Sequence, residues 1–147
     1  MTRVLGVDVG TVRVGLAISD PGRTVATPLE TLDAGDANND DWADTVAARL
    51  AAIADERMCD TVVIGLPRGM SGRDTASTRT ARAVADALTR TGMTVVLWDE
   101  RLSSAEAERV LVGAGRRRAQ RREERDRVAA TLILQGWLDA SARPRRP

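Results

Sequence analysis

Residues 3–20 read RVLGVDVGTVRVGLAISD. Two runs rich in Val, Leu and Ile, residues 4–9 and 13–19, are separated by Gly10 and Thr11. This is the pattern of two buried β-strands joined by a tight connection. Asp8 interrupts the first run. A carboxylate within a buried strand is costly to desolvate unless a cation or strong donors meet it. Gly6 and Gly10 flank it, so the backbone there is open to a ligand. A plainer reading is that Asp8 accepts hydrogen bonds from the turn at Gly10 and Thr11.

Working outward, residues 24–32 give a weaker third strand, interrupted by Pro28. The stretch DAGDANNDD, residues 33–41, is an acidic loop without a core pattern. Residues 42–58 carry Val46, Leu50, Ile53 and Ala54 at helical spacing, and Trp42 staples the start of that helix. TVVIGL, residues 61–66, is a continuous run expected of a strand covered on both faces. A loop with two glycines, residues 67–74, leads to a helix over 76–91 with Ala81, Val84, Ala85 and Leu88 on one face. Residues 94–98 form another buried strand and end in DERLSS. Ser103 and Glu106 have the spacing of a capping box, which opens a short helix to about Val112, stopped by Gly113 and Gly115. A last helix runs to about Ser141, and residues 142–147 form a basic flexible tail. Met70 and Met93 read as packing residues, and Trp98 and Trp137 as core residues.

The order β-β-β-α-β-α-β-α-α predicts an α/β fold. Three early strands form an antiparallel meander, two later ones add in parallel through helices, and helices cover both faces of a mixed five-stranded sheet. Residues 1–141 are expected to be a single domain.

Composition narrows the chemistry. The chain has 147 residues, long enough for a real core, and 43% of them are hydrophobic, which excludes a disordered chain. Aromatic residues are three Trp alone, so the core is aliphatic. No apolar run reaches the roughly 20 residues of a membrane span, and no secretory signal pattern is present. The lone Cys59 cannot form an internal disulfide and reads as a plain thiol. A cytoplasmic protein without membrane partners is expected. There is no His, which excludes Ser-His and Cys-His nucleophile pairs and His-ligated zinc. All 22 basic residues are Arg, whose planar fork suits phosphate. Any enzymatic chemistry therefore falls to carboxylates and arginine.

Three acidic features stand out. Asp8 is the first. Asp99 and Glu100 follow the strand TVVLW, where ligand sites of such sheets cluster; the plainer reading is a strand end running into a helix cap. Asp126, in ERDRVAATLILQGWL, lies in line with Ala130, Ile133 and Trp137 on the buried stripe of a helix; alternatively it stabilises the first turn of that helix through the dipole. Together they bring carboxylates from a first strand, a later strand end and a final helix to one place. Clustered carboxylates repel, and a divalent cation removes the conflict. Oxygen ligands without His or thiolate suit Mg²⁺ or Mn²⁺. Two ions about 4 Å apart could activate a water and stabilise the leaving oxygen of a phosphodiester.

GVDVGTVRVGLAISD, VVIGLPRGMSGRD, VVLWDERLSS and DRVAATLILQGWL resemble, in order, the motifs of the YqgF family. These are bacterial RNase H-like proteins described as candidate Holliday-junction resolvases and as pre-16S ribosomal RNA nucleases. The resemblance spans residues 2–138. It implies an RNase H-like fold and a metal-dependent endonuclease of structured rRNA precursor or branched DNA. It places the catalytic carboxylates on Asp8, Glu100 and Asp126, with Asp99 as the alternative to Glu100. Adjacent strand residues point to opposite faces, so only one of that pair serves, and Glu100 is favoured. Gly65, Gly69 and Gly72 would lie near the scissile strand. LPRGMSG departs from the family's Leu-Pro-Leu-Asn-Met-Asp-Gly pattern, and Arg68 could add a phosphate contact in place of the missing Asn function.

GRRRAQRREERDR, residues 115–127, holds seven arginines among three acids. Arg116, Arg117, Arg118, Arg121 and Arg122 are candidates to grip phosphates, with Arg13, Arg68 and Arg101 beside the other motifs. The alternative is a solvated helix face of Glu–Arg pairs, and Arg13 and Arg101 could equally pair with a motif acid. Without aromatics to stack bases, backbone or junction shape would be read rather than sequence. Two rival functions stay open. DVGTVRVG also resembles the phosphate loop of the actin, Hsp70 and sugar-kinase group, which would require an ATP-binding dimer. A nucleic-acid-binding protein with a vestigial site is the other. A homodimer would suit a two-fold junction.

Overall fold

The computed structural model describes residues 2–68, 72–102 and 118–142; for residues 118–126 it describes the backbone alone. The elements are β1 (Arg3–Val9), β2 (Arg13–Ser19), β3 (Ala26–Asp33), α1 (Trp42–Glu56), β4 (Cys59–Leu66), α2 (Ala76–Arg90), β5 (Thr94–Asp99), a 3₁₀ turn (Glu100–Leu102) and α3 (Arg118–Ala142). The expected helix over 103–112 and the tail beyond residue 142 lie outside the described residues.

The sheet order is β3-β2-β1-β4-β5. β1–β2 and β2–β3 pair antiparallel, while β1–β4 and β4–β5 pair parallel. The meander and the two parallel additions follow as expected. Gly10 is required at the β1–β2 turn, because a Cβ there would sit 2.5 Å from the carbonyl oxygen of Arg13.

Alternation along the strands sorts residues onto two faces. Leu5, Val7, Val9, Leu16, Val62 and Ile64 join Val46, Leu50, Val84 and Leu88 in the larger cluster beneath α1 and α2. Val4, Ala17 and Val63 join Ala129, Ala130, Ile133 and Leu134 beneath α3. A Cβ on Gly6 would lie 2.6 Å from Leu134 Cβ and 3.0 Å from the Ala130 carbonyl. The backbone of α3 therefore presses onto β1 at a residue with no side chain. Gln135 fixes the helix along the sheet: its Oε1 accepts from Ala26 N–H, and its Nε2 donates to the Thr24 carbonyl, both at 2.9 Å.

Three expectations are corrected. β3 starts at Ala26 and continues through Pro28, because it is an edge strand and its register shifts beside Pro28, with Leu29 left over opposite the step from Leu16 to Ala17. α1 stops at Glu56, before a left-handed Met58 (φ 61°) that turns the chain into β4. Trp98 and Trp137 are only partly buried against the α3 cluster. Trp42 does staple the start of α1, donating its indole N–H to the Ala34 carbonyl at 2.7 Å. Met93 packs against the larger cluster, whereas Met70 lies outside the described residues.

Candidate active site

Asp8 lies on the α3 face, since it alternates with Val4 and Gly6. It stands opposite Gly15 of β2. Continuing the β1–β4 register past Val7 and Ile64 places Gly65 on its other side, and Gly65 in turn pairs with Trp98. The row across the sheet is thus Gly15, Asp8, Gly65, Trp98, with the carboxylate between two glycines. Strands are about 4.8 Å apart, so the space above both neighbours of Asp8 is open to other groups.

Glu100 fills part of that space. It is 1% exposed. A Cβ on Gly65 would sit 3.1 Å from Glu100 Oε1 and 2.4 Å from Ile133 Cδ1. The Glu100 carboxylate therefore hangs over Gly65, one strand from Asp8, which is itself 8% exposed. Asp8 also lines a cavity of about 470 Å³ at the carboxyl ends of β1 and β4, together with Gly10, Thr11, Pro67, Ser77 and Thr80.

Asp99 goes elsewhere. It pairs with Leu66, whose side chain belongs to the α1–α2 cluster, so its own side chain leaves the sheet on the face opposite Asp8. There Arg101 embraces it: Nε donates to both carboxylate oxygens at 3.1 Å and Nη2 to Oδ2 at 2.7 Å, while the Arg101 N–H donates to Oδ1 at 2.9 Å. Hydrogen bonds from the Arg101 side chain hold the Asp99 carboxyl below the usual carboxylate range, and the more distant Arg68 adds a smaller pull. The guanidinium of Arg101 is raised reciprocally. The structure thus separates the adjacent acids, with Glu100 beside Asp8 and Asp99 not.

Asp126 falls on α3, one helical turn before Ala130. Ala130 presses on Gly6, and a turn of about 6 Å matches the two strand residues from Gly6 to Asp8. The backbone of Asp126 is thus at the level of Asp8; its side chain lies outside the description. No group of three potential metal ligands occurs among the described residues. Two buried carboxylates over a glycine row, with neither His nor Cys among them, form a hard donor set. That set fits a hard divalent cation and would not suit a soft metal.

Of the predicted phosphate contacts, Arg13 begins β2 on the same face as Asp8. Arg68 forms a backbone bridge with Asp74 and buries its Nε without a hydrogen-bond partner among the described residues. Arg101 pairs with a motif acid, as the alternative reading anticipated. Arg116 and Arg117 lie outside the described residues, as do the side chains of Arg118, Arg121 and Arg122. Sequence reading missed Gly15, which only strand register identifies as the neighbour of Asp8.

The family model described as "RuvX: Holliday junction resolvase" matches residues 2–140. The chain belongs to the RuvX (YqgF) family. It is 43% identical over 144 residues to a Nitrobacter winogradskyi protein named as a candidate pre-16S rRNA nuclease, covering 97% of this chain and 85% of that one. A Myxococcus xanthus protein of the same name is 42% identical over 143 residues, covering 97% and 91%. Among solved structures, T. thermophilus RuvC in complex with a Holliday junction substrate superposes with a TM-score of 0.60 at 16% identity, covering 97% of this chain and 98% of RuvC. That likeness shows the RNase H-like fold of this RuvX chain.

Proposed function

We propose that this RuvX-family chain is an endonuclease that hydrolyses nucleic-acid phosphodiesters with Mg²⁺ or Mn²⁺, in processing of the pre-16S rRNA 5′ end, Holliday-junction resolution or both. The observation that carries this reading is the buried Glu100 carboxylate over Gly65, one strand from the buried Asp8. Family membership supports it.

Asp8, Glu100 and Asp126 would hold the ion. When bound, the ion supplies charge neutralisation for the phosphodiester and activation of the attacking water. The chain's own part is preorganisation. Asp8 is fixed by its strand, and Glu100 is fixed by a buried seat between Gly65 and α3. The Gln135 clamp sets where along β1 the Asp126 turn falls. The glycine row keeps backbone and carboxylates low, so that a phosphate can come close from above. Arg13, Arg68, Arg101 and the arginines of 116–122 would grip flanking phosphates. No described helix is long and apolar enough to cross a membrane, and a cytoplasmic place fits a nuclease of ribosomal RNA. A homodimer would match the two-fold symmetry of a junction.

The test is purified protein with Mg²⁺ or Mn²⁺ on a four-way DNA junction and on a pre-16S RNA fragment, beside Asp8→Asn and Asp126→Asn. Cleavage by the wild type that both variants lose supports the reading. Cleavage retained by both variants, or none by the wild type on either substrate, overturns it.

A further inference from the structure

The Asp99–Arg101 pair lies on the wrong face of the sheet to serve the carboxylate site, and its geometry is one-sided. Asp99 occupies the Nε and Nη2 edge of the guanidinium, leaving the Nη1 end outside the embrace. That end meets Gly72: a Cβ there would sit 3.3 Å from Arg101 Nη1, and the backbone at Gly72 has φ +79°, which favours glycine. The chain is tied down just after Gly72. Asp74, two residues on, bridges backbone to backbone with Arg68 and contacts Arg82 of α2 at 3.5 Å. The Arg101 side chain is 43% exposed, against 18% for Asp99. The result is an immobilised guanidinium, backed by a carboxylate and facing solvent beside a glycine, directly after the residue that hangs over Gly65.

Resting on the nuclease reading, we propose that Asp99 is a positioning residue. It orients Arg101 so that the Nη1 end grips a phosphate of the bound nucleic acid, and it takes no part in holding the metal. An unanchored arginine would lose rotamer freedom on binding, whereas one already gripped has little left to lose. A neutral guanidinium–carboxylate pair would be a poor phosphate ligand if fully buried. Here the exposed half of the fork stays available, and Arg68 adds positive charge from the other limb of the loop.

The experiment measures two affinities in each variant. One is Mn²⁺ binding by calorimetry. The other is binding of a fluorescent four-way DNA junction and of an RNA duplex, titrated against salt in Ca²⁺. Asp99→Ala should keep its Mn²⁺ affinity within about twofold while nucleic-acid binding weakens roughly tenfold, the loss of one charged hydrogen bond. The slope of log affinity against log salt should fall by about one for Arg101→Ala. Because Asp99 acts through Arg101, the double variant should bind no more weakly than Arg101→Ala alone. Asp99→Asn keeps the side-chain shape and carries the same test should the alanine variant fail to fold. An Asp99 variant that loses Mn²⁺ as Glu100→Gln does, or additive losses in the double variant, or unchanged nucleic-acid binding would each overturn the proposal while leaving the nuclease reading intact. A wild type that binds neither Mn²⁺ nor nucleic acid would overturn that reading, and this one with it.

Discussion

The two faces of the sheet are built by different rules. Beneath α1 and α2, buried aliphatic side chains from β1, β2 and β4 meet two helices. Beneath α3 the cluster is smaller, interrupted by Gly6 and Gly65, and bordered by two buried carboxylates. One face is filled for stability. The other gives up side-chain volume so that a helix backbone and two acids can approach the sheet. Giving up packed side-chain volume costs stability, so the first face must hold the fold while the second is kept open for chemistry.

The sharpest way to break this division is Glu100→Gln. It should lower turnover by roughly 10²–10³-fold, the scale seen when one preorganised charge-stabilising group is lost. The unfolding midpoint in metal-free buffer should change little, because the amide keeps the size of the side chain seated over Gly65. A loss of stability equal to the loss of activity would contradict the division. Leu50→Ala tests the opposite face. Leu50 is fully buried, and its truncation should cost about 3 kcal/mol in denaturant unfolding while turnover per folded molecule stays near wild type.

Gly6→Ala probes the contact between the two systems. The added methyl would meet Leu134 Cβ and a helix carbonyl rather than a flexible chain end, so α3 must lift. About 2 kcal/mol of stability should be lost, and Mn²⁺ affinity should fall as the Asp126 turn moves from Asp8. Gln135→Leu would sharpen the same point, since it releases the clamp without touching the carboxylates. The smallest effect concerns pH. The folded Asp99 is held below its ordinary value, so its contribution is complete above about pH 4 and is lost as pH falls through the depressed value. Arg101 is 43% exposed, so solvent screening keeps the contribution below about 1 kcal/mol. Asp99→Asn should flatten the stability profile slightly below about pH 4.

Much of the fold was legible because its strands announce themselves as apolar runs. Residues 4–9, 13–19 and 61–66 needed no partner to be recognised. The misjudged ends have local causes: Met58 takes a left-handed conformation more often given to glycine, and Pro28 survives in a strand only because that strand is an edge. The site was half legible. Asp8 is conspicuous as a charge within an apolar run, and alternation shows that only one of Asp99 and Glu100 can join it; which one depends on the β4–β5 register. What a linear reading could not supply is lateral. That Gly15 stands opposite Asp8, and that Glu100 rests over Gly65, depends on which strands pair and in what register. The Asp99–Arg101 embrace is close in sequence, yet it needs the 3₁₀ turn to bring the two side chains together.

The placement of the tryptophans has a practical consequence. Trp42 is seated in the α1–α2 cluster, whereas Trp98 and Trp137 border the carboxylate face, and the chain contains neither Tyr nor Phe. Intrinsic fluorescence is therefore divided between the two halves of the molecule with no background from other rings. With Trp42 replaced by Phe, emission would report on the α3 side alone, giving an optical readout of metal or substrate arrival without any attached dye.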